Sequence, residues 1–261
     1  MRRRAKTFLA AAVVLLLLFG AWEAAVRLLH VPAFIAPPPS RVALVFISRL
    51  PLLMHHAATT LVEIVLGMTL GTASGIALAL LVFYSPVLER ALYPLIIASQ
   101  MVPIFAVAPV LILWLGYGLW PKVTVAALIT FFPIVISTED GLRAAGAETV
   151  SLLRSMRATR WQVLTKLRIP AGLPSLFSGL KVGVTLSVVG ATIGEWVGAQ
   201  RGLGYLMNQS NARFAADVVF AAILMLSLLG LLLFAALRII EWRVLRWRQP
   251  VSPIQSRKGD R

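Results

Sequence analysis

Few side chains in this sequence can do chemistry, and where they stand says more than how many there are. Residues 151–170, SLLRSMRATRWQVLTKLRIP, interleave the basic Arg154, Arg157, Arg160, Lys166 and Arg168 with the apolar Leu152, Leu153, Met156, Trp161 and Leu164. Such a segment is suited to binding: its apolar side chains can enter a groove on a partner, while its cationic groups rim the contact or meet anionic headgroups. Two carboxyl groups, Glu63 and Glu195, and one amide, Gln100, stand inside long apolar runs, where a polar group either pairs across helices or lines a path. Hydrolysis and phosphoryl transfer lack their usual residues. No G-x-x-x-x-G-K-[ST] and no H-E-x-x-H occurs, so neither a P-loop nor that zinc motif is encoded. His30, His55 and His56 read as surface residues outside the membrane rather than as a metal site. No separated carboxylate pair or Ser/His/Asp set stands out, and zero cysteines exclude disulfides and thiolate-held metal. The sequence implies neither a metal nor a cofactor.

The elements that position these groups follow from hydropathy. Of 261 residues, 59% are apolar and 13% charged, and the mean hydropathy of +0.86 lies far outside the range of a soluble domain. The chain reads as an all-α membrane protein of about six transmembrane helices. The expected spans are 8–29, 58–82, 91–115, 123–137, 177–199 and 218–240, most of them near the ~20 residues that cross a bilayer core. Charge sets the orientation. With both termini in the cytoplasm, 19 of the 25 Lys and Arg residues fall on the cytoplasmic side and six outside, as the positive-inside rule requires. The net charge of +15 is thereby a topological signal, and nucleic acid is not expected as a partner. The opening RRRAK and its apolar run lack an A-x-A cleavage site and read as an uncleaved first helix.

Four regions result: an N-terminal helix over 1–30, an extracytoplasmic connector over 31–57, a transmembrane core over 58–240 with a cytoplasmic loop at 139–175, and a basic tail over 241–261. In the connector, Pro37-Pro38-Pro39 favours extended backbone, Ser40 can cap the helix that follows, and Arg41–Met54 has amphipathic spacing. Gly67, Gly71 and Gly75 recur every four residues in the second span, and Gly190 and Gly194 do so in the fifth; both stripes permit close helix approach. The fifth span turns Thr185, Thr192 and Glu195 to roughly its other side. The third span contains Pro94, Pro103 and Pro109 beside Gln100, so a kink there suits a helix that lines a cavity. The candidate path is therefore Gln100, Pro103, Thr185, Thr192 and Glu195. In the loop, 148–155 and 159–167 read as two short helices broken near Arg157-Ala158, the second ended by Pro170.

The spacing of that loop resembles the E-A-A, three residues, Gly, nine residues, Ile-x-Leu-Pro segment of bacterial ABC-importer permeases. Ser151-Leu152-Leu153 stand at E-A-A, Arg157 at the glycine, and Leu167, Ile169 and Pro170 at the end; only the proline is identical. The likeness extends from about Pro37 to about Trp247 and is greatest to the nitrate/sulfonate/taurine and vitamin-precursor permeases. SQMVPIFAVAPVLILWLGYG, LLRSMRATRW and GEWVGAQRGLGYLMNQSNARF look more like the thiamine-pyrimidine and riboflavin branch than the alkanesulfonate one. The resemblance implies a non-catalytic permease subunit of the bacterial inner membrane, of the type I importer fold. It further implies two copies of an ABC ATPase subunit, an extracytoplasmic solute-binding protein, and a second permease, identical or similar. By the same resemblance Leu152, Leu153, Met156, Arg157, Ala158, Trp161 and Pro170 form the loop that docks the ATPase. A side chain in place of the glycine costs roughly 1 kcal/mol if the backbone stays left-handed.

The core of the third span carries no Lys or Arg, and the fifth has only Lys181 near its cytoplasmic end. A strongly anionic sulfonate would have little help against desolvation there, whereas an uncharged heterocycle needs less. A sulfonate, taurine or nitrate permease remains the alternative. Outside this class, a membrane lipid enzyme would show a dense cluster of Asp, Glu, His or Arg on one membrane face, and a secondary transporter would show repeated halves with matching broken helices.

Overall fold

The computed structural model describes the backbone of residues 2–247, and side chains at residue 10 and from 13 to 247. The basic side chains of residues 2–6 and the tail beyond 247, both used in the charge argument, lie outside these described residues. Eleven α-helices and one π turn are present among them, and no strand. In chain order the helices are α1 (Arg2–Leu28), α2 (Pro39–Ser48), α3 (Leu50–Tyr84), α4 (Pro86–Ser99), α5 (Ile104–Leu115), α6 (Leu119–Arg143), α7 (Ala147–Ser155), α8 (Arg160–Val163), α9 (Ile169–Gly198), α10 (Leu203–Ala212) and α11 (Ala216–Val244); the π turn, Leu164–Arg168, joins α8 to α9. Four helical runs are long and apolar enough to cross a membrane: Leu50–Tyr84, Leu119–Arg143, Arg160–Gly198 and Ala216–Val244. The bent pair α4–α5 makes a fifth. The first apolar run lies on α1, a helix of 27 residues.

Helix α6 is the centre, with α3 on one side and α9 on the other. Both neighbours approach through small residues. Gly67 and Gly190 bring their backbones against Ala126 from opposite directions, and Ala126 is wholly buried. Gly71 meets Thr130 and Ala127, Gly75 meets Ile134 and Phe131, and Gly194 meets Lys122. Lipid offers no hydrophobic drive for helices to associate, so close van der Waals contact must hold them together, and small residues allow it. At the end of the bundle where α10 lies, Leu53, Ala57, Leu203, Leu206, Ala221, Ala222 and Met225 form an apolar cluster that fixes α10 and α11 against α3.

Several boundaries differ from those expected from hydropathy. The third span is broken rather than kinked: α4 and α5 meet at 101°. Gln100, Met101 and Val102 donate backbone bonds three residues back, and Pro103, with no N–H, opens α5 in extended conformation. The fourth span, α6, is 25 residues rather than the expected short stretch, because Leu119–Lys122 and Thr138–Arg143 continue its helix: Lys122 pairs with Glu63 of α3, and Arg143 with Glu139 one turn back and with Glu89 of α4. The long helix of the core starts at Leu50, eight residues before the expected boundary at 58, and α11 runs on to Val244. Ser40 does not cap α2. Glu23 of α1 does, accepting from the Ser40 backbone N–H at 3.0 Å and its hydroxyl at 2.8 Å, a carboxylate at a helix N-terminus where free N–H groups and the helix dipole favour it.

A Cβ at position 190 would stand 2.8 Å from the Ala126 Cα, which is backbone and cannot yield. Gly190→Leu is therefore expected to destabilise the purified protein by about 1–3 kcal/mol or more through overpacking. Gly183→Ala, whose added carbon meets nothing nearer than 3.5 Å, should change stability by less than about 0.5 kcal/mol. Thermal unfolding in detergent checks the pair, and equal losses would remove the close-packing account.

Candidate functional site

Three places gather the polar residues. The first is the break between α4 and α5. A cavity of about 390 Å³ opens there, lined by Ser99, Gln100, Val102, Ile104, Val107, Leu128, Ile129, Phe132, Pro133 and Leu186. The break makes it: α5 turns away from the line of α4, and the wall left uncovered belongs to α6 and α9. No charged side chain lines it. Gln100 faces this space, Pro103 begins the helix beside it, and Thr185 precedes the lining residue Leu186.

The second place is a buried polar cluster at the end of the bundle where α10 lies. Lys122 donates to Glu63 Oε1 at 2.9 Å, with Glu63 0% and Lys122 7% exposed. The Glu195 carboxyl lies beside that of Glu63, held by Thr60 one turn earlier on α3. Glu195 Oε1 accepts from the Thr60 hydroxyl at 2.7 Å, and its Oε2 accepts from the backbone N–H groups of Gly204 and Tyr205. The Leu203 N–H reaches Thr60 Oγ1 at 2.8 Å, and the Gly202 N–H reaches His56 Nδ1 at 3.1 Å. These are the free donors at the start of α10, which buried surroundings would otherwise leave unpaired. Gly202 has φ of +119°, and a Cβ there would run into the Glu195 carboxyl, so the turn requires glycine.

This cluster separates Thr192 and Glu195 from the cavity. Glu195 is spent on Thr60 and α10, and Thr192 is largely buried with its hydroxyl donating to the Val188 carbonyl. The side of α9 that carries Thr192 and Glu195 meets α3 and α10 rather than open space, whereas Thr185, two turns earlier, is exposed. His56 is likewise buried and hydrogen-bonded, not a solvated surface residue as the sequence suggested. Neither Lys122 nor Thr60 was singled out as a site residue from the sequence. The available signal was a lysine directly after Trp120-Pro121 at the head of an apolar run, with the carboxylate of Glu63 in another. Among the described residues no group of His, Asp and Glu is arranged to hold a metal.

The third place is the loop formed by α7 and α8. Helix α7 ends with the Ala158 N–H bonded to the Leu153 carbonyl at 3.0 Å and the Arg157 N–H to the Arg154 carbonyl at 2.9 Å. That pair of bonds is a Schellman cap. Arg157 occupies its left-handed position with φ of +62°, so the chain keeps the turn and bears a strain of roughly 1 kcal/mol. Thr159 and Gln162 then form a reciprocal capping box that starts α8. Pro170 does not end the second helix. The chain passes through the π turn into α9, with the Ile169 N–H reaching the Leu164 carbonyl five residues back; the widened turn accommodates a proline that can neither donate nor fit an ordinary α-turn. Leu152, Met156 and Trp161 are 61%, 71% and 67% exposed, while Leu153 and Ala158 are half-buried at the cap and Pro170 is half-buried on α9.

This architecture is matched among known proteins. Residues 63–246 fit the family model described as binding-protein-dependent transport system inner membrane component. The chain belongs to that family. It is 41% identical over 235 residues to the formylaminopyrimidine transport permease protein ThiX of Halalkalibacterium halodurans, covering 90% of this chain and 94% of that one. It is 39% identical over 237 residues to the riboflavin transport system permease protein RibX of Chloroflexus aurantiacus, covering 90% and 88%. In fold it is similar to a chain of the MetNI methionine ABC transporter solved in inward-facing conformations, with a TM-score of 0.66 at 21% identity, covering 76% of this chain and 98% of that chain. The chain is thus an inner-membrane, multi-pass permease component of the ABC-importer class.

Removing one partner of a buried ion pair leaves the other uncompensated, so Lys122→Met, which also leaves two carboxyl groups facing each other, should lower stability by about 3–5 kcal/mol. Adding Glu63→Gln to Lys122→Met should recover much of the loss. A thermal-unfolding cycle measures this, and a Lys122→Met variant no weaker than Arg201→Met, which changes an exposed residue, would dismiss the pairing as a source of stability.

Proposed function

We propose that the chain is the path-forming subunit of an importer that carries a small, largely uncharged heterocycle, a flavin or a thiamine-type pyrimidine, into the cell. The observation that carries this reading is the cavity at the α4–α5 break, which offers Ser99 and Gln100 among apolar and aromatic walls and no fixed charge. A heterocycle can satisfy one amide and one hydroxyl there, whereas a sulfonate would leave its hydration without ionic compensation. The names of the ThiX and RibX relatives agree with it. The path passes Gln100 and Pro103 with Thr185 at its flank. Sulfonate, taurine or nitrate is the second reading, and helix dipoles with water would then have to supply the stabilisation.

ATP is bound by a separate subunit in two copies, a solute-binding protein delivers the nutrient from outside, and a second permease copy, identical or similar, completes the path. The contact with the ATPase is made by the apolar face of the α7–α8 loop, where Leu152, Met156 and Trp161 are exposed and nothing among the described residues covers them. Both termini lie in the cytoplasm, which places α2 outside and the α7–α8 loop inside.

Two measurements test this. In the assembled complex, Leu153→Asp with Met156→Asp is expected to abolish uptake and weaken ATPase co-purification while membrane insertion is kept; in parallel, thermal shift of the cognate binding protein should respond to flavins or pyrimidines rather than alkanesulfonates. Unchanged ATPase binding removes the docking assignment, and a response to taurine alone removes the substrate. For topology, no native cysteine interferes: an impermeant thiol reagent outside intact cells should label Ser48→Cys and spare Thr159→Cys, and the reverse pattern would invert the orientation.

A further inference from the structure

At the cytoplasmic end of the bundle a second concavity, about 270 Å³, lies between the end of α3, the start of α4, the end of α6 and the α7–α8 loop. Its lining includes Phe83, Tyr84, Arg143, Arg154, Arg160 and Arg168. One of these arginines is neutralised: Arg143 binds Glu89 at 2.9 Å and Glu139 at 2.8 Å. Arg168 lies over the Phe83 ring at 4.6 Å, which orients the guanidinium without cancelling its charge. Among the described residues Arg154, Arg160 and Arg168 form no ion pair. Three guanidinium groups thus converge on one small space, each with donors arranged in a planar fork that matches phosphate oxygens.

Three features select the ligand. The volume is below the roughly 300 Å³ of pockets that enclose whole organic molecules, so it suits a phosphate-bearing head rather than a complete metabolite. The site sits where apolar α3 ends in Phe83-Tyr84, and the exposed Leu81 and Val87 flank it, giving hydrocarbon a surface beside the charge. Finally, Arg154 is two residues from both Leu152 and Met156, about 200° around α7 from that exposed apolar face, so the pocket and the apolar face look in opposite directions. We propose that this pocket binds the phosphodiester headgroup of an anionic phospholipid from the cytoplasmic leaflet, with Arg154, Arg160 and Arg168 as its ligands. This does not depend on the substrate or on the ATPase contact.

The test uses the full chain in phosphatidylcholine nanodiscs titrated with phosphatidylglycerol, with retained lipid counted by native mass spectrometry. The unmodified protein is expected to retain phosphatidylglycerol selectively, and Arg160→Gln with Arg168→Gln to reduce its apparent affinity by roughly tenfold or more, as loss of two interfacial cations implies. Arg154→Gln alone should give a smaller loss, and Arg238→Gln, an exposed arginine on α11, none. Should the paired variant not fold, Arg154→Gln against Arg238→Gln decides. Equal retention in all variants overturns the proposal. So does displacement by millimolar inorganic phosphate without selective lipid retention, which would make the ligand a free anion. Loss of ATPase co-purification with lipid retention unchanged also overturns it, by making the pocket a protein contact.

Discussion

Ala126 is where the two central seams of the molecule meet. Glycine backbones press on it from two sides, Gly67 of α3 and Gly190 of α9, and the spacing of the three central helices is set there. Because hydrocarbon surrounds the bundle, this contact cannot be replaced by burying more apolar area elsewhere; it depends on shape alone. The other central contacts, from Gly71 on Thr130 to Gly194 on Lys122, continue along the same two seams. The helices at the margin, α1, α2 and the pair α4–α5, are attached by single polar links or by one face, and the open cavity is found at that margin.

The seam between α6 and α9 also explains the buried charges. Gly194 lets α9 lie against Lys122, and the next residue, Glu195, lies beside Glu63, to which the lysine donates. A lysine in an apolar bundle is tolerated only with its carboxylate at hand, and here the same close approach that packs the helices brings the pair together. This polar cluster is thus a consequence of the glycine seams. It also secures α10, a short helix whose first donors it satisfies, so the end of the bundle and its interior are joined by one set of hydrogen bonds.

Much of this was legible in the sequence. The two glycine stripes, the polar interruption of the third span and the basic loop were each visible from spacing, because helix periodicity maps directly onto faces. What the spacing could not say was which neighbour each face would meet. Thr192 and Glu195 were on the expected side of α9, but that side is closed by α3 and α10, elements whose position depends on Thr60 and His56 more than a hundred residues earlier in the chain. Span boundaries failed for a related reason. Hydropathy ends a helix where polar residues begin, yet Lys122 and Glu139 remain helical and buried because each has an ion partner, Glu63 of α3 for the lysine and Arg143 on the next turn of α6 for the glutamate. Pro170 misled in the opposite sense, since one extra residue per turn lets a helix absorb a proline.

That extra residue has a mechanical side. Because the π turn keeps α8 and α9 in one helical run from Arg160 to Gly198, the loop and the polar cluster around Glu195 stand at two ends of one rod, about 55 Å apart along the axis. Any displacement of Trp161 therefore acts on a rod whose far end is anchored by Glu195. A rotation imposed at one end would be carried to the other, and such a rod yields where its winding is interrupted, at the widened turn and at Pro174.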